Sequence, residues 1–137
     1  MAPRKLKTRQ IDRAKYRIYL NKASDFYETM IDAFQKKNWN SVGLAAVHCV
    51  ISATDALLSF QSGVRSVSQD HREVAQLLRQ HVDSKGVLEN SKRLLKVIGM
   101  KNLVEYEARN FTQKEANVVM KDTERYFEWV NSLVPKE

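Results

Sequence analysis

Residues 45–58 read Ala45-Ala46-Val47-His48-Cys49-Val50-Ile51-Ser52-Ala53-Thr54-Asp55-Ala56-Leu57-Leu58. The segment is apolar on most of its sides, which is typical of a helix at the centre of a bundle. A thin polar stripe nevertheless recurs at steps of three and four, which keeps its members on one helix face: Ala45, His48, Ser52, Asp55 and Ser59. Two interpretations follow: the stripe is the only solvent-exposed side of a buried helix, or it is part of a functional site.

The composition favours one folded, all-α domain. A chain of 137 residues suits a single domain with a real core, and its 43% hydrophobic content argues against disorder. Four Gly and two Pro are too few for the many turns that a fold of short strands would need. The single Cys49 excludes a disulfide framework and fits a reducing compartment. No signal peptide is recognised, and no run approaches the apolar length of a membrane span, so we expect a cytoplasmic protein without a membrane anchor.

The apolar periodicity predicts five helical segments joined by short turns, which form an antiparallel four- or five-helix bundle. Capping signals mark three of the helix starts. The predicted segments are about 11–37; about 42–60, capped by Asn40 or Ser41; a third from the Asp70–Glu73 capping box to about Val82; a fourth from about Val87, interrupted at Gly99; and a last one from the Thr112–Glu115 capping box.

The positive charge is concentrated at the front of the chain. Residues 1–17 carry seven basic side chains against Asp12 alone, whereas the body is nearly neutral. We predict a flexible basic arm at residues 1–10 and a single helical domain over 11–137. The arm is either a solvated terminus or a surface for nucleic acid phosphates or an acidic partner.

Metal and cofactor sites are not predicted. The three His, the single Cys and the carboxylates show none of the close pair spacings that metal ligands adopt on helices. No Gly-rich loop precedes a helix, so the sequence does not predict a phosphate site built from backbone N–H groups. Cys49, on an apolar helix, is interpreted as a packing residue.

The polar stripe supplies the first candidate site. His48 and Asp55 lie two helical turns apart, about 10.5 Å along the axis, so they cannot bond directly. Ser52 lies between them, and Arg65 and His71 follow soon enough to fold over the same face. This set of side chains suits a nucleotide or polyanion, with Arg65 taking phosphate as a planar fork. Alternatively, these side chains bond neighbouring turns and caps.

A second candidate site precedes the last helix. Arg109 and Asn110 come just before the Thr112 cap, so Arg109 lies near the positive N-terminus of the last helix. The arginine and the helix N-terminus together would hold an anion. The alternative is an exposed Arg109 paired with Glu105 or Glu107.

Taken together, these segments resemble the HEPN family (higher eukaryote and prokaryote nucleotide-binding domains) over about residues 15–134. The resemblance implies a homodimeric bundle of four or five helices, often associated with a nucleotidyltransferase partner or with RNA cleavage. Its carriers are the Trp39 turn, Ala46-Val47-His48 through Asp55-Ala56-Leu57-Leu58, Arg65, Asp70-His71, Val74 to Leu78, Tyr106-Glu107-Ala108-Arg109, and Ala116 to Trp129-Val130.

Catalytic members of the family look like metal-independent ribonucleases that use an Arg followed, after four to six residues, by a His. Arg109-Asn110 matches the beginning of that pattern, but the following positions are Lys114, Glu115 and Ala116. An absent imidazole removes acid–base assistance worth about 10²–10⁴-fold, and a lysine replaces it poorly unless its pKa is strongly lowered.

The leading hypothesis is therefore a non-catalytic HEPN-like homodimer that binds a nucleotide, RNA or a partner protein. Its predicted ligand-binding residues are His48, Ser52, Asp55, Arg65, His71 and Arg109. One alternative is a metal-independent RNA-cleaving toxin of a toxin–antitoxin pair, with Arg109 and Asn110, or His48, His71 and Arg65, at its site. Another is a structural dimeric adaptor.

Overall fold

The computed structural model describes residues 6–135 and consists of six α-helices with one small two-stranded sheet. The predicted all-α bundle is confirmed. The helices are α1 Tyr16–Gln35, α2 Trp39–Ser62, α3 His71–His81, α4 Val87–Ile98, α5 Lys101–Tyr106 and α6 Gln113–Leu133. The strands β1 Thr8–Gln10 and β2 Val64–Ser66 pair antiparallel.

Helix α2 is the centre of the bundle. It packs along α1 and against α6, and most of its residues from Val42 to Ser59 are buried. The hydroxyl of Thr54 lies 2.6 Å from that of Tyr126 on α6 and donates to the carbonyl of Val50 at 2.7 Å. A buried hydrogen-bonded pair thus joins the two helices at mid-length.

The expectation about apolar length was wrong for α2. By length and composition alone, Trp39–Ser62 is long and apolar enough to cross a membrane. However, 78% of its most apolar window is buried inside the bundle. A central helix that other helices surround can be as long and as apolar as a membrane-spanning helix, and the burial of α2 fits that case.

The predicted capping signals hold at two helix starts. The carboxylate of Asp70 accepts a hydrogen bond from the Arg72 amide at 2.9 Å and so caps α3. The Asp70 amide donates to the Ser68 hydroxyl and not to Glu73, so the predicted Asp70–Glu73 capping box is not formed there. At α6, the Thr112 hydroxyl accepts from the Glu115 amide and the Glu115 carboxylate accepts from the Thr112 amide, which is a complete capping box. The predicted interruption at Gly99 is also confirmed, because α4 ends there and α5 begins shortly after.

The start of α2 differs from its prediction. The capping position is Asn38, and Asn40 lies inside the helix. The Asn40 carboxamide instead accepts from the Phe111 amide at 2.7 Å and donates to the Asn110 side chain at 3.1 Å. Asn40 is therefore a tertiary contact that fixes the segment before α6, not a cap.

The front of the chain is more ordered than a simple arm. Residues 8–10 of the predicted arm form β1, and a 3-10 turn at Arg13–Lys15, capped by Asp12, leads into α1. β2 occupies part of the connection between α2 and α3, where the sequence predicted only a turn. Residues 1–5 of the arm lie outside the described residues.

Candidate functional site

A cleft of about 680 Å³ opens between the second half of α2, the segment from β2 to α3, and α4–α5. It brings together three of the residues that the sequence singled out, namely Asp55, Arg65 and His71. The other lining residues are Ile51, Thr54, Ser66, Val67, Ser68, Gln69, Val74, Ile98, Lys101, Asn102 and Tyr106.

Asp55 and Arg65 form an ion pair at the floor of this cleft. Only 8% of Asp55 is exposed, and its Oδ2 accepts a hydrogen bond from Arg65 Nε at 3.3 Å. Burial raises the pKa of Asp55 to about 6, although Arg65 and Lys22 both favour its ionised form. The Arg65 guanidinium also lies 5.4 Å from the centroid of the Tyr19 ring. Arg65 is therefore held by a carboxylate and an aromatic ring.

His71 and Lys101 both line the cleft, close enough for the charge of Lys101 to affect His71. His71 is the first residue of α3, directly after the Asp70 cap, and Lys101 opens α5. Burial and the positive charge of Lys101 lower the pKa of His71, while Asp70 opposes the shift. The imidazole is accordingly neutral at pH 7 and available as a hydrogen-bond donor or acceptor.

The segment between β2 and α3 is tied to α3. The Ser68 hydroxyl donates to the buried carboxylate of Glu73 and accepts from the Asp70 amide at 3.0 Å. Ser68 thus lines a wall that hydrogen bonds fix in place before any ligand arrives.

Sequence reasoning missed Lys101 and the two serines of this wall. The only signal for Lys101 was the predicted break at Gly99, after which α5 begins as a new helix packed against α2. Ser66 and Ser68 lie between two helices, and no local sequence pattern distinguishes them from other polar residues there.

The earlier part of the polar stripe lies outside the cleft. His48 stacks on Phe26 of α1, with ring centroids 5.2 Å apart and planes inclined by 30°. Ser52 is buried, with 9% of its surface exposed. Neither side chain lines the cleft, so His48 and His71 do not share one site in this arrangement.

Arg109 and Asn110 lie at the opposite end of α2. The Asn40–Asn110 hydrogen bond places them beside the start of that helix, about 22 Å along its axis from Asp55. Asn110 and Phe111 line a shallow hollow there with residues 37–41. The two candidate sites are therefore separate.

The Arg109 guanidinium is occupied by a carboxylate. Its two Nη atoms donate to the two oxygens of Glu115, at 3.0 and 2.7 Å, and Nη1 also donates to the Asn110 carbonyl at 3.1 Å. This pairing lowers the pKa of Glu115 to about 2 and raises that of Arg109. The partner is therefore Glu115, not Glu105 or Glu107, and it occupies one of the positions where the family pattern has histidine.

Metal ligation and thiol chemistry have no setting in residues 6–135. No three His, Cys, Asp or Glu side chains there lie close enough together to hold a metal ion. Cys49 is buried, and burial raises the pKa of its thiol to about 12, which keeps it protonated at neutral pH.

The comparison with protein families agrees with this architecture. The family model described as the HEPN domain matches residues 16–133, from the first residue of α1 to the last of α6. No curated protein matches the chain.

Proposed function

The chain belongs to the HEPN domain family, and from this premise we propose that it binds a nucleotide in the cleft and does not cleave RNA at Arg109. The observation that carries the proposal is the convergence of Arg65, His71 and Lys101 on one cleft of about 680 Å³. Sites for small ligands are concave and typically enclose about 300–1,000 Å³.

The cleft offers complementary chemistry for each part of a nucleotide. Lys101 supplies a point charge for phosphate, and Arg65 supplies guanidinium donors beyond the Nε that Asp55 engages. The hydroxyls of Ser66 and Ser68 add neutral donors on the same wall. The Tyr106 side chain, 76% of which is exposed, offers a face on which a base stacks.

The site at Arg109 lacks two requirements of the family's cleavage chemistry. Its guanidinium is engaged by Glu115, so it is not free to stabilise a pentavalent phosphate. No histidine occurs between residues 107 and 133 to transfer a proton. These two features support a non-catalytic role at this end of the bundle.

Isothermal titration calorimetry with nucleoside mono-, di- and triphosphates at low salt tests the proposal. We expect micromolar binding that Lys101→Ala weakens about tenfold, the usual effect of losing one charge-assisted hydrogen bond. Lys121→Ala removes the same charge from the exposed face of α6 and should leave the affinity unchanged. Failure of every nucleotide to bind, or equal binding by Lys101→Ala, would reject it.

A second candidate function is RNA cleavage within the cleft itself. It is favoured by the presence of two titratable groups with shifted pKa values, Asp55 and His71, beside Arg65 and Lys101. A cleavage assay on mixed RNA, with His71→Ala and Asp55→Asn as controls, distinguishes it. Cleavage that both substitutions abolish would replace the binding role with this one.

We extend the proposal to a cytoplasmic homodimer, the assembly that the family resemblance implies. Leu44 on α2 and Val118 near the start of α6 are 40% and 44% exposed, and both are large apolar side chains. Light scattering should give twice the chain mass of 15.9 kDa, and Leu44→Asp should shift the protein towards the monomer. A wild-type monomer at micromolar concentration would contradict the dimer.

A further inference from the structure

Two arginines lie directly opposite each other in the small sheet. Arg9 of β1 pairs with Arg65 of β2 in the antiparallel register. Opposed residues of such a ribbon project from the same face, and like charges in that position repel and destabilise the pair. An anion bound between the two guanidinium groups would attract both of them and offset their mutual repulsion.

The two arginines line a groove of about 460 Å³ on the outer side of the sheet. Lys15 adds a third cation, and Asp12 is the only carboxylate among its lining residues. That carboxylate already accepts a hydrogen bond from the Ala14 amide at 3.0 Å. Within the described part of the chain, Arg9 and Lys15 form no ion pair or side-chain hydrogen bond. The groove therefore has an excess of unmatched positive charge.

Arg65 is presented to this groove in a fixed orientation. The Asp55 carboxylate holds its Nε and the Tyr19 ring lies against its guanidinium, yet 38% of its side chain stays exposed. A cation that is ordered in advance loses less conformational entropy when it binds an anion. The groove combines one such prepositioned arginine with a second, exposed arginine, Arg9.

The aromatic and apolar lining favours a peptide over a nucleic acid strand. Both Arg65 and Lys22 lie within 6 Å of the Tyr19 ring centroid, so cations already occupy the ring on which a base would stack. Ile18, 47% exposed, and Ile11 offer aliphatic contacts instead. Aliphatic contacts suit peptide side chains.

The backbone of β1 adds a further recognition element. All three residues of β1 are exposed, and in the described chain the sheet has only two strands, so one edge of β1 is unpaired. Such an edge accepts an additional extended segment through main-chain hydrogen bonds.

We propose that this groove binds an extended acidic segment of a partner protein, which pairs with the free edge of β1 and places its carboxylates against Arg9, Arg65 and Lys15. The groove and the cleft share Arg65, but Arg9 and Lys15 line only the groove while His71 and Lys101 line only the cleft, so variants of these residues separate peptide binding from nucleotide binding.

Fluorescence anisotropy with a labelled peptide of about six residues that alternates Glu and Val tests the proposal. We expect micromolar binding at low salt, weakened about tenfold by Arg9→Gln. Lys121→Gln removes the same charge from α6 and should change the affinity less than about twofold. A peptide that alternates Lys and Val should not bind, and N-methylation of alternate amides of the acidic peptide should weaken binding.

Three outcomes would overturn the inference. One is equal binding by Arg9→Gln, another is no effect of N-methylation, and the third is a single-stranded oligonucleotide of equal charge that binds the groove more tightly than the peptide. Lys101→Ala should retain peptide binding, and Arg9→Gln should retain nucleotide binding. The failure of either function is thus distinguishable from the failure of the other.

Discussion

The carboxylate of Asp55 is buried on α2 and accepts a hydrogen bond from the Arg65 side chain of β2, with 3.3 Å between Oδ2 and Nε. Burial outweighs this attraction, because the pKa of Asp55 is raised to about 6 and not lowered. Ion pairs that lose their hydration often contribute little net stability. The pair therefore serves to position Arg65 between the cleft and the groove rather than to stabilise the fold.

Asp55→Asn should change how stability depends on pH. The folded state holds the Asp55 proton more tightly than the unfolded chain, so wild-type stability falls as pH rises from about 4 to about 6. A raised pKa of this size corresponds to a cost on the order of 3 kcal/mol above that window. Relative to wild type, the variant should gain that amount between pH 4 and 7 in urea unfolding. A constant difference between the two proteins across this range would contradict the prediction.

Nucleotide binding should take up a proton at His71. Burial and Lys101 keep its pKa below the ordinary value, and a bound phosphate would favour the protonated imidazole beside them. Affinity should therefore rise as pH falls from neutral, because the bound state holds the His71 proton more tightly than the free protein. His71→Asn keeps a hydrogen-bonding side chain but cannot titrate, so it should remove the protein's share of this dependence. Calorimetry in buffers of different ionisation enthalpy measures the proton uptake. Asp55→Asn is the control for the second titrating group of the cleft, the Asp55 carboxyl.

The Arg109–Glu115 pair should stabilise the start of α6 at neutral pH. Because the folded-state pKa of Glu115 is lowered to about 2, its contribution is present above the unfolded-chain value of about 4.3 and is lost as pH falls below it. Arg109→Gln should lower the melting temperature slightly at pH 7 and have no effect near pH 2. RNA turnover should equal background in both proteins. A loss of measurable RNA cleavage in the variant would instead assign catalysis to Arg109.

The hydrogen bond between Tyr126 and Thr54 should contribute modestly to the seam of α2 and α6. Tyr126→Phe keeps the buried ring and leaves Thr54 bonded to the Val50 carbonyl, so we expect a loss of about 1 kcal/mol. Tyr126→Ala also removes the ring and should cost about 3–5 kcal/mol. Denaturant unfolding of both variants measures the difference. A Phe variant as unstable as the Ala variant would show that the hydroxyl, not the packing, holds the seam.

Local sequence signals predicted what depends on local structure. The apolar run at 45–58 identified the core helix, and the caps at Asp70 and Thr112 fixed two helix starts, because these patterns act within a few residues. Arg65 reaches Asp55 as expected, since β2 directly follows α2.

Contacts between distant segments were not predictable in the same way. Asn40 is of a residue type that often caps helices, but its side chain forms a hydrogen bond with the side chain of Asn110, seventy residues later. Lys101 joins the cleft because α5 packs against α2, far from it in sequence. The three-residue strands are too short to show an alternating pattern. The partner of Arg109 depended on where α6 begins, which places Glu115 within reach.

Gly43 on α2 should prove necessary for the position of α5. A Cβ atom at this residue would lie 2.7 Å from Cγ2 of Val104 and 3.2 Å from the Phe111 ring. Gly43→Ala should therefore be destabilising, because overpacking costs about 1–3 kcal/mol and exceeds the gain of up to about 1 kcal/mol in helix propensity. Since α5 carries Lys101 and Tyr106 into the cleft, its displacement should also weaken nucleotide binding several-fold. Val104→Ala makes room for the new methyl group, so the double variant should be more stable than the sum of the two single effects predicts. Additive effects in that cycle would show that Gly43 and Val104 do not compete for the same space.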